Sequence, residues 1–263
     1  MFSNYAEKQR LVKVPAGEQI IYNGNGIPTF PEGSILAEIF FYCNDARDVS
    51  LGKKVIETRL FIKADGLWNV ATYVWNDTQT DAVLVLDGLN KSVSWINKLG
   101  NNRSIMYYIP NPNECVSCHQ TNKQVLPLGP SMRNLNIDVT INNQAINQLQ
   151  YPQSIEIIHP FDESQVSQIV DYYDTNAPLS ARGRAYLDMN CAHCHNPSGW
   201  SRPAREGYDF RYETAVNDTK ILNDKEKIKE VIQSGEMTYL GITVVDQEGL
   251  DLIVAYIIVY KII

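Results

Sequence analysis

The chain has 263 residues, of which 44% are hydrophobic and 20% are charged, an ordinary balance for a folded globular protein. Its net charge of −7 makes nucleic acid and anionic membranes poor partners. No stretch reaches the roughly 20 apolar residues that a membrane-spanning helix needs, so we expect no transmembrane segment in this chain.

Residues 1–112 are predicted to form a β-rich domain. The segment contains short runs rich in β-branched and aromatic residues, separated by glycine-, asparagine- and proline-containing turns. Short strands at this spacing are typical of an antiparallel β-sandwich or barrel-like domain. The predicted strands are residues 11–15, 19–22, 35–42, 55–62, 68–75, 82–86, 92–96 and 105–109.

A Cys-Val-Ser-Cys-His motif follows, formed by Cys115, Cys118 and His119. C-x-x-C-H is the attachment motif of a c-type haem: the two thiols reach the two vinyl groups of one porphyrin, and the imidazole becomes the proximal iron ligand. Two prolines and two asparagines just before the motif predict that it follows the end of a strand, without a preceding helix. We assign residues 113–176 to this first haem segment and a linker.

A second copy, Cys-Ala-His-Cys-His, contains Cys191, Cys194 and His195. An amphipathic pattern predicts a helix that is capped by Ser180 and leads directly into this motif. The order of elements from residue 177 to 263 is typical of a class I cytochrome c-like, α-helical domain. The chain as a whole is therefore predicted to be α+β, with the β-rich domain first and the cytochrome c domain last.

Two further helices are predicted in that domain, over residues 223–232 and 246–260. Met237 lies in a glycine-bounded loop between them, where such a domain presents its distal thioether, so we predict Met237 as the second iron ligand opposite His195.

The distal ligand of the first haem is harder to identify. Met132 is nearest in sequence, within a Gly-Pro turn that could return the chain over the porphyrin, and we predict it as the ligand. His159 and Met106 are the other candidates. Cys43 is interpreted as a buried small apolar residue, and His193 as a surface imidazole.

The chain resembles a family of bacterial dihaem c-type cytochromes with a β-rich N-terminal region. That resemblance implies two covalently attached haems c and export from the cytoplasm. No export signal precedes the first domain, which we attribute to removal or trimming, and we expect a periplasmic or otherwise exported protein. The matching stretches include PNPNECVSCH and RAYLDMNCAHCHNPSG and lie at residues 2–6, 56–60, 73–82, 110–119, 128–136 and 184–199.

Three functions fit these motifs. The favoured one is one-electron transfer by two closed, six-coordinate haems, with a redox partner protein whose identity the sequence does not give. The alternative is a dihaem enzyme of peroxidase-like type, in which the first haem has an open coordination position. The third is zinc binding, which the large separation of the two motifs in the sequence disfavours.

Overall fold

The computed structural model describes residues 1–141, 143–199, 206–237 and 241–259. Seven main strands form the first part of the chain: β1 Glu7–Lys13, β2 Ile35–Cys43, β3 Lys53–Ala64, β4 Leu67–Trp75, β5 Ala82–Val85, β6 Leu89–Ile96 and β7 Asn102–Ile109. Short elements follow: α1 Pro112–Cys118, β8 Gln120–Thr121, β9 Gln124–Val125, α2 Met132–Leu135, β10 Asp138–Ile141, β11 Gln144–Asn147 and α3 Gln150–Ser154. The last helices are α4 Leu179–Asn190, α5 Lys225–Gln233 and α6 Gln247–Val259.

The first five strands form one antiparallel sheet in the order β1-β2-β3-β4-β5, and β6 and β7 form a separate two-stranded ribbon. Paired residues such as Leu36 and Phe61, or Phe40 and Glu57, share one face of the sheet because side chains alternate along each strand. That face is the buried one. The order of the sheet leaves β1 and β5 as its edges in the described part of the chain, so the sheet is open.

Two hydrophobic clusters cover the buried face. The β6–β7 ribbon covers one end, where Tyr42, Ile56 and Tyr107 are almost completely buried. The segment after the ribbon covers the other end, where Phe61 and Trp68 pack with Met132 and other buried side chains. The first Cys-x-x-Cys-His motif follows the ribbon in the sequence and lies against this face, where the Phe61 ring is 4.8 Å from the His119 ring.

The prediction of an α+β chain that ends in an α-helical cytochrome c domain is wrong. The described residues are mainly β, with a five-stranded antiparallel sheet and six short α-helices of four to thirteen residues, and no helical cytochrome c domain is evident among them. Helices do form close to the predicted positions, but the described residues between α4 and α5 (191–199 and 206–224) are mostly turns and irregular segments, with a short 3-10 helix at Val216–Asp218. Proline, glycine and asparagine just after the second motif favour turns over helix.

The three C-terminal helices nevertheless share a core. Tyr186 and Leu187 of α4 pack with Ile228 of α5 and with Ile253 of α6. Helices α4 and α6 cross closely at a glycine on each, because a Cβ on Gly183 would overlap Tyr256 and one on Gly249 would overlap Tyr186.

The N-terminal residues contact this helical region. The backbone N–H of Phe2 donates to Asn190 Oδ1 at 2.7 Å, and the Asn4 side chain donates to the Gly241 carbonyl at 3.0 Å and accepts from the Thr243 N–H at 2.7 Å. Within the described ranges, no helix combines the length and the apolar character that crossing a bilayer requires.

Candidate functional site

The first motif lies on a short helix directly after the ribbon. The Asn111 side chain accepts the Glu114 backbone N–H at 3.0 Å while Glu114 accepts the Asn111 N–H at 2.8 Å, a capping box that starts α1 with Pro112 in the first turn. The strand before the motif ends at Ile109, as predicted, but the second proline opens a helix that carries both cysteines. Proline is tolerated there because the first N–H groups of a helix have no intrahelical partner.

His119 is held in the orientation of a metal-ligating imidazole. Its Nδ1 lies 3.0 Å from the Leu126 carbonyl oxygen, and the Phe61 ring lies 4.8 Å from its own ring. A carbonyl can only accept, so the hydrogen is on Nδ1 and Nε2 keeps its lone pair. Although part of the ring reaches the surface, burial lowers the pKa of His119 to about 4, which keeps the imidazole neutral at physiological pH.

The sheet presents a buried ion pair to Cys115. Arg59 donates to both carboxylate oxygens of Glu57, at 2.9 and 2.6 Å, and the Tyr107 hydroxyl donates to Glu57 at 2.7 Å. Glu57 is completely buried, and the pair raises the pKa of Arg59 despite its burial. Burial also raises the pKa of the Cys115 thiol, against the opposing charge of Arg59, so this thiol stays protonated.

The second motif begins at the C-terminal end of α4, with Cys191 as the capping residue. The His195 ring packs with two aromatic rings, 5.7 Å from Tyr208 and 5.0 Å from Phe210, which also contact each other at 5.5 Å. Burial lowers the pKa of His195 to about 4, and its Nδ1 is buried with no hydrogen-bond partner among the described residues. Burial raises the pKa of Cys191 to about 12. Pro178 stands at the N-cap of α4, so the predicted cap at Ser180 is wrong.

The two motifs, far apart in the sequence, touch each other in the fold. Ligand atoms of Cys118, His193 and Cys194 all lie within 4.8 Å of one another. The hydrogen bond that the Cys194 thiol donates lowers the pKa of Cys118, with a further contribution from His193, and the same hydrogen bond raises the pKa of Cys194. The proton of this sulfur pair therefore stays on Cys194.

Two further contacts fix this arrangement. Behind the first motif, the Asn122 N–H donates to the Ser198 carbonyl at 3.1 Å. Beneath the second motif, Arg133 donates to Asp188 at 3.0 and 3.1 Å, and the side chains of this ion pair are each only 8% exposed. Arg133 thus ties the short helix α2 to α4.

The two predicted distal ligands, Met132 and Met237, lie in different environments. Met132 is 1% exposed, in the cluster that includes Phe61, whose ring contacts His119. Met237 follows α5 with 45% of its area exposed. The remaining candidates His159 and Met106 are exposed, and Cys43 is half-buried.

His193 is the site residue that the sequence analysis missed. It is half-buried against Cys118, not a surface imidazole. Its position inside the second motif gives no indication of this, because the partner comes from the other motif. Only the tertiary fold, in which α4 is tied to α2 through Asp188 and Arg133, brings the two together.

No protein-family model, curated protein or solved structure matches this chain. The family resemblance given above stays a prediction. The case for a cofactor rests on the donor set, which fits haem c: each motif offers two thiols and one neutral imidazole, and His119 already has the Nδ1 hydrogen bond that orients an iron ligand.

Proposed function

We propose that this protein is a dihaem c-type cytochrome that transfers one electron at a time outside the cytoplasm. The observation that carries the proposal is the pair of Cys-x-x-Cys-His motifs, whose second cysteines, Cys118 and Cys194, meet in the fold. Two such motifs use four of the five cysteines and two of the four histidines in the chain.

Each haem would be held by one motif. Cys115 and Cys118 would form the thioethers of the first haem and His119 its proximal ligand; Cys191, Cys194 and His195 would do the same for the second. Bound haem supplies a reversible ferric–ferrous couple. The chain keeps both imidazoles neutral and orients His119 through the Leu126 carbonyl, so that a nitrogen lone pair is available in each motif.

Contact between the motifs supports electron transfer within one chain. Attachment sites that touch each other would hold two haems as neighbours, so an electron accepted at one could leave from the other. The redox partner is a protein whose identity the chain does not reveal. Met132 and Met237 remain the proposed distal ligands. Met237 has to turn in from its exposed position, whereas Met132 already lies in the cluster that includes Phe61, whose ring contacts His119.

Haem counting tests the proposal. Protein matured in a bacterial periplasm should keep its haem through denaturing electrophoresis and give two haems per chain by the pyridine haemochrome assay. Changing Cys115 and Cys118 to Ala should leave one haem, and so should the same change at Cys191 and Cys194. Cys43→Ala is the matched control and should keep two. A wild-type chain without covalent haem would refute the proposed function.

A further inference from the structure

We propose that the haem-free chain has a single zinc site whose ligands come from both motifs: the thiolates of Cys118 and Cys194 and the imidazole of His193. Zinc prefers this mixture of sulfur and nitrogen donors. The site goes beyond electron transfer and does not depend on haem attachment.

The distances are close to those of a zinc site. Zn–S bonds of about 2.3 Å and Zn–N bonds of about 2.0–2.1 Å place tetrahedral ligand atoms roughly 3.5–3.8 Å apart. In the fold, the three ligand atoms lie within 4.8 Å of one another, so a contraction of about 1 Å closes the set. Small side-chain rotations supply such a movement, since all three side chains are half-buried and not locked in a core.

Hydrogen bonds hold the backbone at each of the three proposed ligands. Cys118 is the last residue of α1, whose start the capping box holds. His193 and Cys194 lie in the turn after α4, where the Asn196 side chain donates to the Ala192 carbonyl at 2.8 Å and to the His193 carbonyl at 3.2 Å. The backbone therefore presents the three groups before any metal arrives, which reduces the entropy that binding has to overcome.

Three protein ligands leave one coordination position for water, as in open zinc sites. The large separation of the motifs in the sequence is no obstacle, because the fold supplies the proximity. His119 and His195 are not ligands in this site.

Zinc and haem would exclude each other at these sulfurs. A thioether bond between Cys118 or Cys194 and a haem vinyl group leaves no thiolate for zinc. The zinc form thus belongs to the chain before haem attachment or in its absence, and zinc bound there would block thioether formation at one cysteine of each motif.

The test uses the full-length chain produced in the cytoplasm, kept reduced and stripped with a chelator. Titration with Co²⁺ should give thiolate-to-cobalt charge-transfer absorption that saturates at one equivalent, and Zn²⁺ should displace it. Loss of a group that only hydrogen-bonds to a metal ligand already costs about 10–100-fold in affinity. Removal of a direct ligand by Cys118→Ser, Cys194→Ser or His193→Ala should therefore weaken zinc binding by at least that factor.

Cys115→Ser and Cys191→Ser are the matched controls, because each removes a cysteine from a motif without removing a proposed ligand. Both should bind zinc like wild type, and circular dichroism should show that all variants keep the β-sheet. Two equivalents of metal, with binding lost in the controls, would indicate one separate site per motif and overturn the proposal. A haem-free chain that binds no metal would overturn it as well. Either result would leave the haem count of periplasm-matured protein unchanged, so the two proposals fail separately.

Discussion

The ion pair between Arg133 and Asp188 should be one of the most sensitive points of the fold. Both side chains are 8% exposed, and Asp188 also accepts the Tyr212 N–H at 2.7 Å. Arg133→Met keeps the length of the side chain but leaves the carboxylate of Asp188 buried without its cation. Removing one partner of a buried pair costs about 3–5 kcal/mol. With a urea m-value of about 3 kcal/mol/M, the unfolding midpoint should fall by about 1–1.7 M.

Urea unfolding of the purified full-length protein, followed by circular dichroism, measures this loss. The double variant Arg133→Met with Asp188→Leu should recover most of the lost free energy of unfolding, because an apolar pair of similar volume replaces two buried charges. Arg47→Met is the matched control. It removes an arginine whose side chain is 54% exposed in its ion pair with Asp45, so the midpoint should change little. A single variant at position 133 as stable as wild type would refute the reasoning.

Three other changes test the helix packing and the proposed haem ligands. Gly249→Ala should lower the free energy of unfolding by about 1–3 kcal/mol, because the added methyl group meets Tyr186. The control Gly26→Ala adds a methyl group in open space and should leave the free energy of unfolding unchanged. Equal unfolding midpoints for the two variants would contradict the close crossing of α4 and α6. Met237→Ala should remove the near-infrared sulfur–iron band of the second haem and lower its reduction potential, with an unchanged spectrum pointing to another ligand. Reduced wild-type protein should not bind carbon monoxide, and Met132→Ala should bind it at one haem; binding by wild type would favour the peroxidase-like alternative.

Several local elements followed from the sequence. Strands were correctly predicted where β-branched and aromatic runs were bounded by turns, as in β2, β3 and β4. The segment 19–22 was an exception, since it forms only isolated bridges, Ile20 with Ile158 and Ile21 with Thr29. Helical periodicity located α4, α5 and α6 to within a few residues.

The fold class could not be obtained by joining those elements. Three helices in the right order suggested a helical domain, but helix order does not specify how much of a segment is helical or what the helices pack against. Here the described residues between α4 and α5 are largely turns, and the N-terminal residues Phe2 and Asn4 hydrogen-bond to the helical region. Contacts between residues that are far apart in the chain leave no local pattern in the sequence.

By itself, the sequence determined the chemical groups: two sets of paired thiols with an adjacent imidazole, because that spacing is local and directly readable. Tertiary structure alone decided that Cys118 meets Cys194 and His193, and that Arg133 holds α2 against α4. It also decided the state of these groups, since burial makes His119 and His195 neutral and a hydrogen bond across the motifs keeps the proton on Cys194. Protonation depends on neighbours in space, and those neighbours come from parts of the chain that only folding brings together.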